Sequence, residues 1–340
     1  MAAAGAPDGA TRPPLALVGP TASGKSALAL ALARRRPGTE IVSVDSMCVY
    51  RGMDIGTDKP DAAARAAVPH HLLDLVDPDE EFTLGRFQAE AERAMDRVAG
   101  RGGRALFVGG TGLYLRAVVD GLSVPGRFPE VAAVLEQEAD ATGGVAALHE
   151  RLARLDPVAA ARMAPTNRRR VVRALEVTIG AGRPFSSFGP GLEAYPPTPY
   201  VLVGLAFDAS VHDRRIEQRF AEHLRLGLLD EVRALSQRPA GLSRTARQAL
   251  GYRELLAHVE DAVPLDNAVE EAVRRTRALA RRQWAWFRRD PRIHWLDPAG
   301  DLLGQLLERW DAPGAAVDAP PGASPHPAGP RVATRDQVRD

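Results

Sequence analysis

The sequence predicts an α/β fold, a parallel sheet core with a helical domain inserted into it. Three observations carry that expectation. The apolar run LALVG (15–19) leads into the glycine-rich stretch GPTASGKS (19–26) and then into a helical pattern. Further short apolar runs alternate with helical patterns, as parallel strands and their crossover helices do. Residues 129–180, lying between two of those runs, read as helical throughout. The glycine stretch fits G-x-x-x-x-G-K-[ST], so the core is expected to be P-loop NTPase-like.

The elements follow in order. Leu15 to Gly19 reads as a buried strand, and a helix runs from Lys25 to about Arg35. EIVSVDS (40–46) reads as a second buried strand ending in a carboxylate, and 82–102 as a helix closed by glycine. RALFVGGTGLYLRAVVDG (104–121) reads as strand, tight glycine turn and helix. The insertion breaks at ATGG and near APTN, and a loop-rich return, RPFSSFGPGLEAYPPTP, leads to the strand YVLVGLAFD (200–208). Helical patterns at 212–229 and 266–289 and a short strand in RIHWLD complete the core. The core is therefore expected over 13–122 and 199–310 and the insertion over 123–198. The Ala-, Pro- and Gly-rich ends, 1–12 and 311–340, are expected to be disordered.

Bulk composition sets limits. At 340 residues and 45% hydrophobic, the chain can bury a substantial core. A net charge of +1 gives no global field for a polyanion, so local patches must supply any attraction. The single cysteine, Cys48, excludes a disulfide within the chain and a zinc site built on several thiolates. No signal peptide and no apolar run of membrane length are present, and a cytoplasmic, reducing setting is expected.

Several residues carry chemistry by type and place. In Gly19, Pro20, Thr21, Ala22, Ser23, Gly24, Lys25 and Ser26, glycines let backbone N–H groups turn toward phosphate oxygens. Lys25 adds a point charge there, and the Ser26 hydroxyl can reach Mg²⁺. Asp45, at a strand end, fits a general base or a metal ligand as well as a turn or cap. Thr111, in GGTGLY, fits a ligand contact or a cap. His70 and His71 are adjacent, share no face, and read as structural or as a polar edge. NRRRVVRALEV (167–177) packs four arginines into about two helical turns. On the last long helix Arg274, Arg277, Arg281 and Arg288 share one side, while Val273, Leu279, Trp286 and Phe287 turn to a core. Such faces fit a polyanion such as RNA, or a solvated surface paired with Glu.

GPTASGKS, VDSMCVYRGMDIGTDKP, PHHLLDLVDP, VGGTGLYLRAVVDGL, RRVVRALEV, ALGYRE and TRALARRQWAWFRR occur in this order over about residues 15–296. In this the chain resembles the tRNA dimethylallyltransferase (tRNA isopentenyltransferase) family. The resemblance implies transfer of the dimethylallyl group of dimethylallyl diphosphate to N6 of the adenine 3′ to the anticodon, with diphosphate released. It implies Mg²⁺ as cofactor, held by Ser26, and the tRNA anticodon stem-loop as partner. Asp45, Thr21 and Lys25 become the catalytic residues, and the loop 19–26 the diphosphate site. The implied tRNA contacts are Asp45, Ser46, Met47, Cys48, Thr111, Arg169, Arg170, Val171, Val172 and Arg173, with Arg277 and Arg281 on diphosphate or tRNA backbone. A monomer without membrane attachment is expected.

The chain departs from the family pattern at four positions. Cys48 stands where Gln is usual after DSM, and Arg169 where Gln opens QRxxR. Ala132 stands in place of an arginine, and Asp58 in GTDKP where Ala is commoner. A thiol hydrogen-bonds a base edge poorly, and Arg169 favours phosphate over base reading. Two alternatives follow: an isopentenyltransferase for free AMP, ADP or ATP, and a P-loop kinase. A third is an RNA-binding paralogue without catalysis. The helical insertion, both arginine segments and the intact Lys25, Ser26 and Asp45 favour the tRNA enzyme.

Overall fold

The computed structural model describes residues 13–206 and 208–312. The tails expected at 1–12 and beyond 312 lie outside the described residues. Asp311, placed in the expected tail, instead closes the helix Leu302–Asp311 and ion-pairs with Arg36.

Six parallel strands form one sheet in the order β3-β2-β4-β1-β5-β6. They are β1 (Leu15–Val18), β2 (Thr39–Val44), β3 (His70–His71), β4 (Arg104–Gly109), β5 (Val201–Leu205) and β6 (His294–Leu296). β1 and β5 are buried along their whole length. Their unbroken apolar composition follows, because helices cover both faces of a parallel sheet. Side chains alternate between two cores at the strand period of two. Leu15, Leu17, Ile41 and Leu106 pack with Leu32, Leu306 and Trp310. Ala16, Val18, Val42 and Phe107 face the opposite way, toward Phe87, Tyr114 and Phe287.

Helices Lys25–Arg35, Leu84–Gly100 and Gly112–Val119 follow the first strands as expected. The pattern read at 212–229 is two helices, Ala209–Arg225 and Leu228–Ser236. The break is Gly227, whose φ of 101° is left-handed. The His pair forms β3 at the sheet edge, where His71 Nε2 meets Glu40 Oε2 at 2.6 Å.

The four helices between Pro129 and Gly180 carry a core of their own, including Leu135, Leu148, Leu152, Val171, Val172 and Leu175. Their return to the sheet is fixed by charge. Arg116 is buried against Asp120 and donates to the carbonyls of Leu192 (3.1 Å) and Ala194 (2.5 Å). Arg292 binds Asp120 and Asp290 at 2.7 and 2.6 Å. Burial opposes charge on Arg292, but the two carboxylates outweigh it and hold the guanidinium above its ordinary pKa. Among the described residues no helix is long and apolar enough to cross a membrane.

The β2–β4 pairing admits no side chain at its end. A Cβ on Gly109 would lie 2.0 Å from the Val44 carbonyl oxygen. Gly109→Ala is expected to destabilise the protein by about 2–4 kcal/mol in urea unfolding. Gly85→Ala, whose Cβ would meet only Val124 Cγ1 at 3.7 Å, is expected to be neutral or stabilising.

Candidate active site

Register places three strand ends side by side. Gly109 of β4 aligns with Val18 of β1 on one side and Val44 of β2 on the other. The segments leaving these strands are the glycine loop, the Asp45 turn and Gly110–Thr111. They lie at the carboxyl edge of the sheet, where open α/β folds bind ligands.

The loop is built for an anion. Gly24 at φ 90° precedes Lys25, and no side chain caps the helix that begins there. Its first N–H groups are therefore available to a ligand at the positive end of the helix dipole. Ala22 is held at φ 63°, an uncommon conformation for a residue with a side chain. The Ser23 hydroxyl is buried without a hydrogen-bond partner among the described residues. A Cβ on Gly19 would come within 2.9 Å of that hydroxyl oxygen. Ser26 is exposed at the helix start.

Lys25 is half-buried and donates to the Pro20 carbonyl at 3.3 Å. Burial and the Arg219 charge depress its pKa to about 8, partly opposed by Asp45, Asp58 and Cys48. The protein alone thus supplies too little negative charge for this ammonium. Arg219, from the helix Ala209–Arg225, donates to Thr21 Oγ1 and lies 3.3 Å from Asp58. The sequence reading did not single it out, because only the fold brings that helix to the loop.

Asp45 forms a turn with its own chain. Its Oδ1 accepts from the N–H groups of Met47 (2.7 Å) and Cys48 (3.3 Å), and Oδ2 has no partner among the described residues. Ser46 and Met47 are half-buried. Cys48 is buried, and its thiol donates to the Thr57 carbonyl at 3.5 Å. Burial pushes that thiol well up in pKa, so it is a packed thiol rather than a nucleophile.

Thr111 N–H donates to the Val44 carbonyl at 3.3 Å, and its hydroxyl caps no helix. Beside it stands Gln283, a second residue that sequence reasoning passed over. Its Oε1 accepts from Thr21 N–H at 2.8 Å and its Nε2 donates to the Gly110 carbonyl at 3.0 Å. A Cβ on Gly110 would lie 2.5 Å from that nitrogen, and one on Gly112 would lie 2.3 Å from the Trp286 ring. Those close approaches explain the glycines of GGTGLY. Gln283 lay inside the quoted arginine-rich stretch, but its polar amide gave no signal beside so many charges.

The arginine segments divide. Arg169 and Arg170 are exposed, and among the described residues their side chains make no hydrogen bond or ion pair. Val171 and Val172 differ from them: both are buried in the core of the helical insertion. At a period of 3.6 residues they turn to the opposite side of the helix. Arg173 reaches back to the carbonyls of Pro125 (2.9 Å) and Gly126 (3.0 Å) and pairs with Glu176. Arg277 pairs with Glu217, and Arg281 with Asp213 at 2.7 Å. Those two therefore bind helix to helix in this structure.

The family model described as IPP transferase matches residues 48–290. The chain belongs to the IPP transferase family. A tRNA dimethylallyltransferase from Kineococcus radiotolerans is 50% identical over 308 residues, covering 87% of this chain and 96% of that one. A tRNA dimethylallyltransferase from Kocuria rhizophila is 47% identical, covering 86% and 92%. Among solved structures, the tRNA isopentenylpyrophosphate transferase of Bacillus halodurans superposes with a TM-score of 0.62 at 36% identity, covering 88% of this chain and 94% of that one. A eukaryotic dimethylallyltransferase acting on tRNA gives 0.70 at 26% identity, with 87% and 77% covered. IPP transferases are prenyltransferases, and the P-loop kinase alternative finds no support among these relatives.

The depressed Lys25 gives a stability prediction. Folding favours its neutral form, so the cost of its charge is present below about pH 8. That cost is relieved as pH rises from there toward the ordinary lysine value of 10.5. Lys25→Met is expected to raise stability by about 1–2 kcal/mol at pH 7, with the gain vanishing near pH 10. Thermal unfolding across pH measures both.

Proposed function

We propose that this IPP transferase moves a dimethylallyl group from dimethylallyl diphosphate to N6 of the adenine 3′ to the anticodon of tRNA. The observation that carries the reading is the meeting of Asp45 and the Lys25 loop at one sheet edge. A carboxylate with a free oxygen stands near a cradle for a polyphosphate anion. This is the pairing needed for an amine nucleophile and a diphosphate leaving group. The relatives named for that reaction support it, as do the exposed Arg169 and Arg170 on the insertion.

The chemistry follows from the side chains. The adenine N6 lone pair attacks the allylic carbon while the C–O bond to diphosphate breaks, and its electrons leave with the diphosphate. Asp45 Oδ2 accepts the proton that N6 sheds. Oδ1, held by two backbone N–H groups, fixes the carboxylate's orientation. The loop N–H groups, Lys25, Arg219 and the Ser23 hydroxyl stabilise the charge that develops on diphosphate. Thr21, tied to both Arg219 and Gln283, shapes the loop. An adenine in an anticodon loop reaches such a site by leaving its stack.

Mg²⁺ fits this donor set. Among the described residues no cluster of three or more His, Cys, Asp or Glu exists to cage a metal. Ser26 supplies one exposed hydroxyl beside the loop, which suits a small ion that keeps water and phosphate ligands. When bound, Mg²⁺ would neutralise diphosphate oxygens. Under this reading the protein acts on tRNA in the cytoplasm, and it does so as a monomer.

The test mixes protein, Mg²⁺ and labelled dimethylallyl diphosphate with unmodified tRNA or with AMP. Label is expected in tRNA and lost when the target adenine is replaced. Asp45→Asn is expected to slow transfer by about 10²–10⁴-fold. Label in AMP alone would move the chain to free nucleotides, and no label in either would overturn the reading.

A further inference from the structure

Asp58 is the residue of the site that the proposed mechanism leaves unused. It stands in the left-handed region at φ 58°, with its N–H bound to the Ile55 carbonyl at 3.1 Å. The next residue anchors the turn. The Lys59 side chain is 1% exposed and binds the Tyr50 carbonyl, Asp54 and Asp74, each at 2.6 Å. A turn fixed this tightly gives Asp58 little freedom of place. Its Oδ2 lies 3.3 Å from Arg219 Nη1, and its Oδ1 lies 3.5 Å from His223 Nε2. The same Arg219 reaches into the phosphate loop through Thr21 Oγ1. Asp58 also lines a cleft of about 700 Å³ with Arg51, Lys59, Arg65 and His223.

We propose that Asp58 is an internal counter-ion that weakens the hold of this site on diphosphate, and so speeds its release. The inference rests on the reading of the loop as a diphosphate site. Arg219 is shared between the loop and a fixed carboxylate. An arriving diphosphate meets a cation already partly neutralised, and a negative charge that repels it. A departing diphosphate leaves Arg219 to a waiting partner, so no uncompensated guanidinium remains. A site without that charge holds its product more tightly. The contacts that lower the Asp58 pKa, led by His223 and followed by Arg219 and Lys25 against the effect of burial, agree with a carboxylate that keeps its charge.

Asp58→Asn isolates the effect. Asparagine keeps an oxygen toward Arg219, tolerates positive φ and removes only the charge. The probe is inorganic pyrophosphate, titrated into the full-length protein by calorimetry with and without Mg²⁺. Loss of one like charge near the site is expected to tighten pyrophosphate binding about fivefold to tenfold in both conditions. The inhibition constant of pyrophosphate in the transfer reaction is expected to fall in step. Arg219→Ala is expected to weaken binding, which shows that the cation itself is used.

Unchanged or weaker binding by Asp58→Asn, with unfolding like wild type, would overturn the counter-ion role. Weakening seen only with Mg²⁺ would overturn it too, and make Asp58 a support of the metal. If wild-type protein binds no pyrophosphate and Lys25→Ala changes nothing, the diphosphate reading of the loop falls and this inference falls with it.

Discussion

One amide holds the site together. Gln283 uses its oxygen on Thr21 in the phosphate loop and its nitrogen on Gly110 after β4. It therefore joins a loop near the start of the chain to a turn in its middle, from a helix near its end. That helix, Leu265–Phe287, is seated in the core through Ala280 and Phe287, so the amide is presented from a rigid element. The arrangement needs glycine at 110 and 112, because the Gln283 amide and the Trp286 ring occupy the space of their side chains. The sheet register levels the strand ends, and Gln283 then sets the spacing of the loops that leave them. Groups that must act within about half an ångström of their working positions need such support.

The electrostatics of the site depend on this geometry. Lys25, at the start of the helix after the loop, and Arg219, on the helix Ala209–Arg225, lie close enough that the Arg219 charge adds to burial in depressing the Lys25 pKa. Asp45 and Asp58 balance the pair only in part. An anion with several charges would relieve the imbalance. The segment that returns from the insertion is held to this centre by the Arg116, Asp120 and Arg292 cluster, with the Tyr195 ring under both guanidiniums. Removing Asp120 would leave the buried Arg116 guanidinium without a carboxylate partner.

Much of this was legible in the sequence, for stated reasons. Strands buried on both faces read as apolar runs, and a phosphate loop has a fixed spelling, so β1, the Lys25–Arg35 helix and Gly19–Ser26 stood out. GGTGLY was visible as a glycine turn, but not why it needs glycine, since Gln283 and Trp286 lie some 170 residues away. Arg219 and Gln283 were missed because only packing places them. Val171 and Val172 were grouped with the arginines beside them, although helical periodicity already turns them toward the core. The pairing of Arg277 and Arg281 with Asp213 and Glu217 required knowing which helix lies alongside. Asp58 was noticed as a departure, but its partner lies 161 residues on.

The most direct measurement of this account is the steady-state kinetics of Gln283→Ala beside wild type, with prenyl donor and tRNA varied separately. Loss of the bridge frees the phosphate loop and the Thr111 turn together. The predicted result is a fall of about 10²-fold in kcat with a raised KM for both substrates, in a protein that unfolds near the wild-type temperature. Wild-type kcat and both KM values unchanged would contradict the claim that this one amide aligns the site.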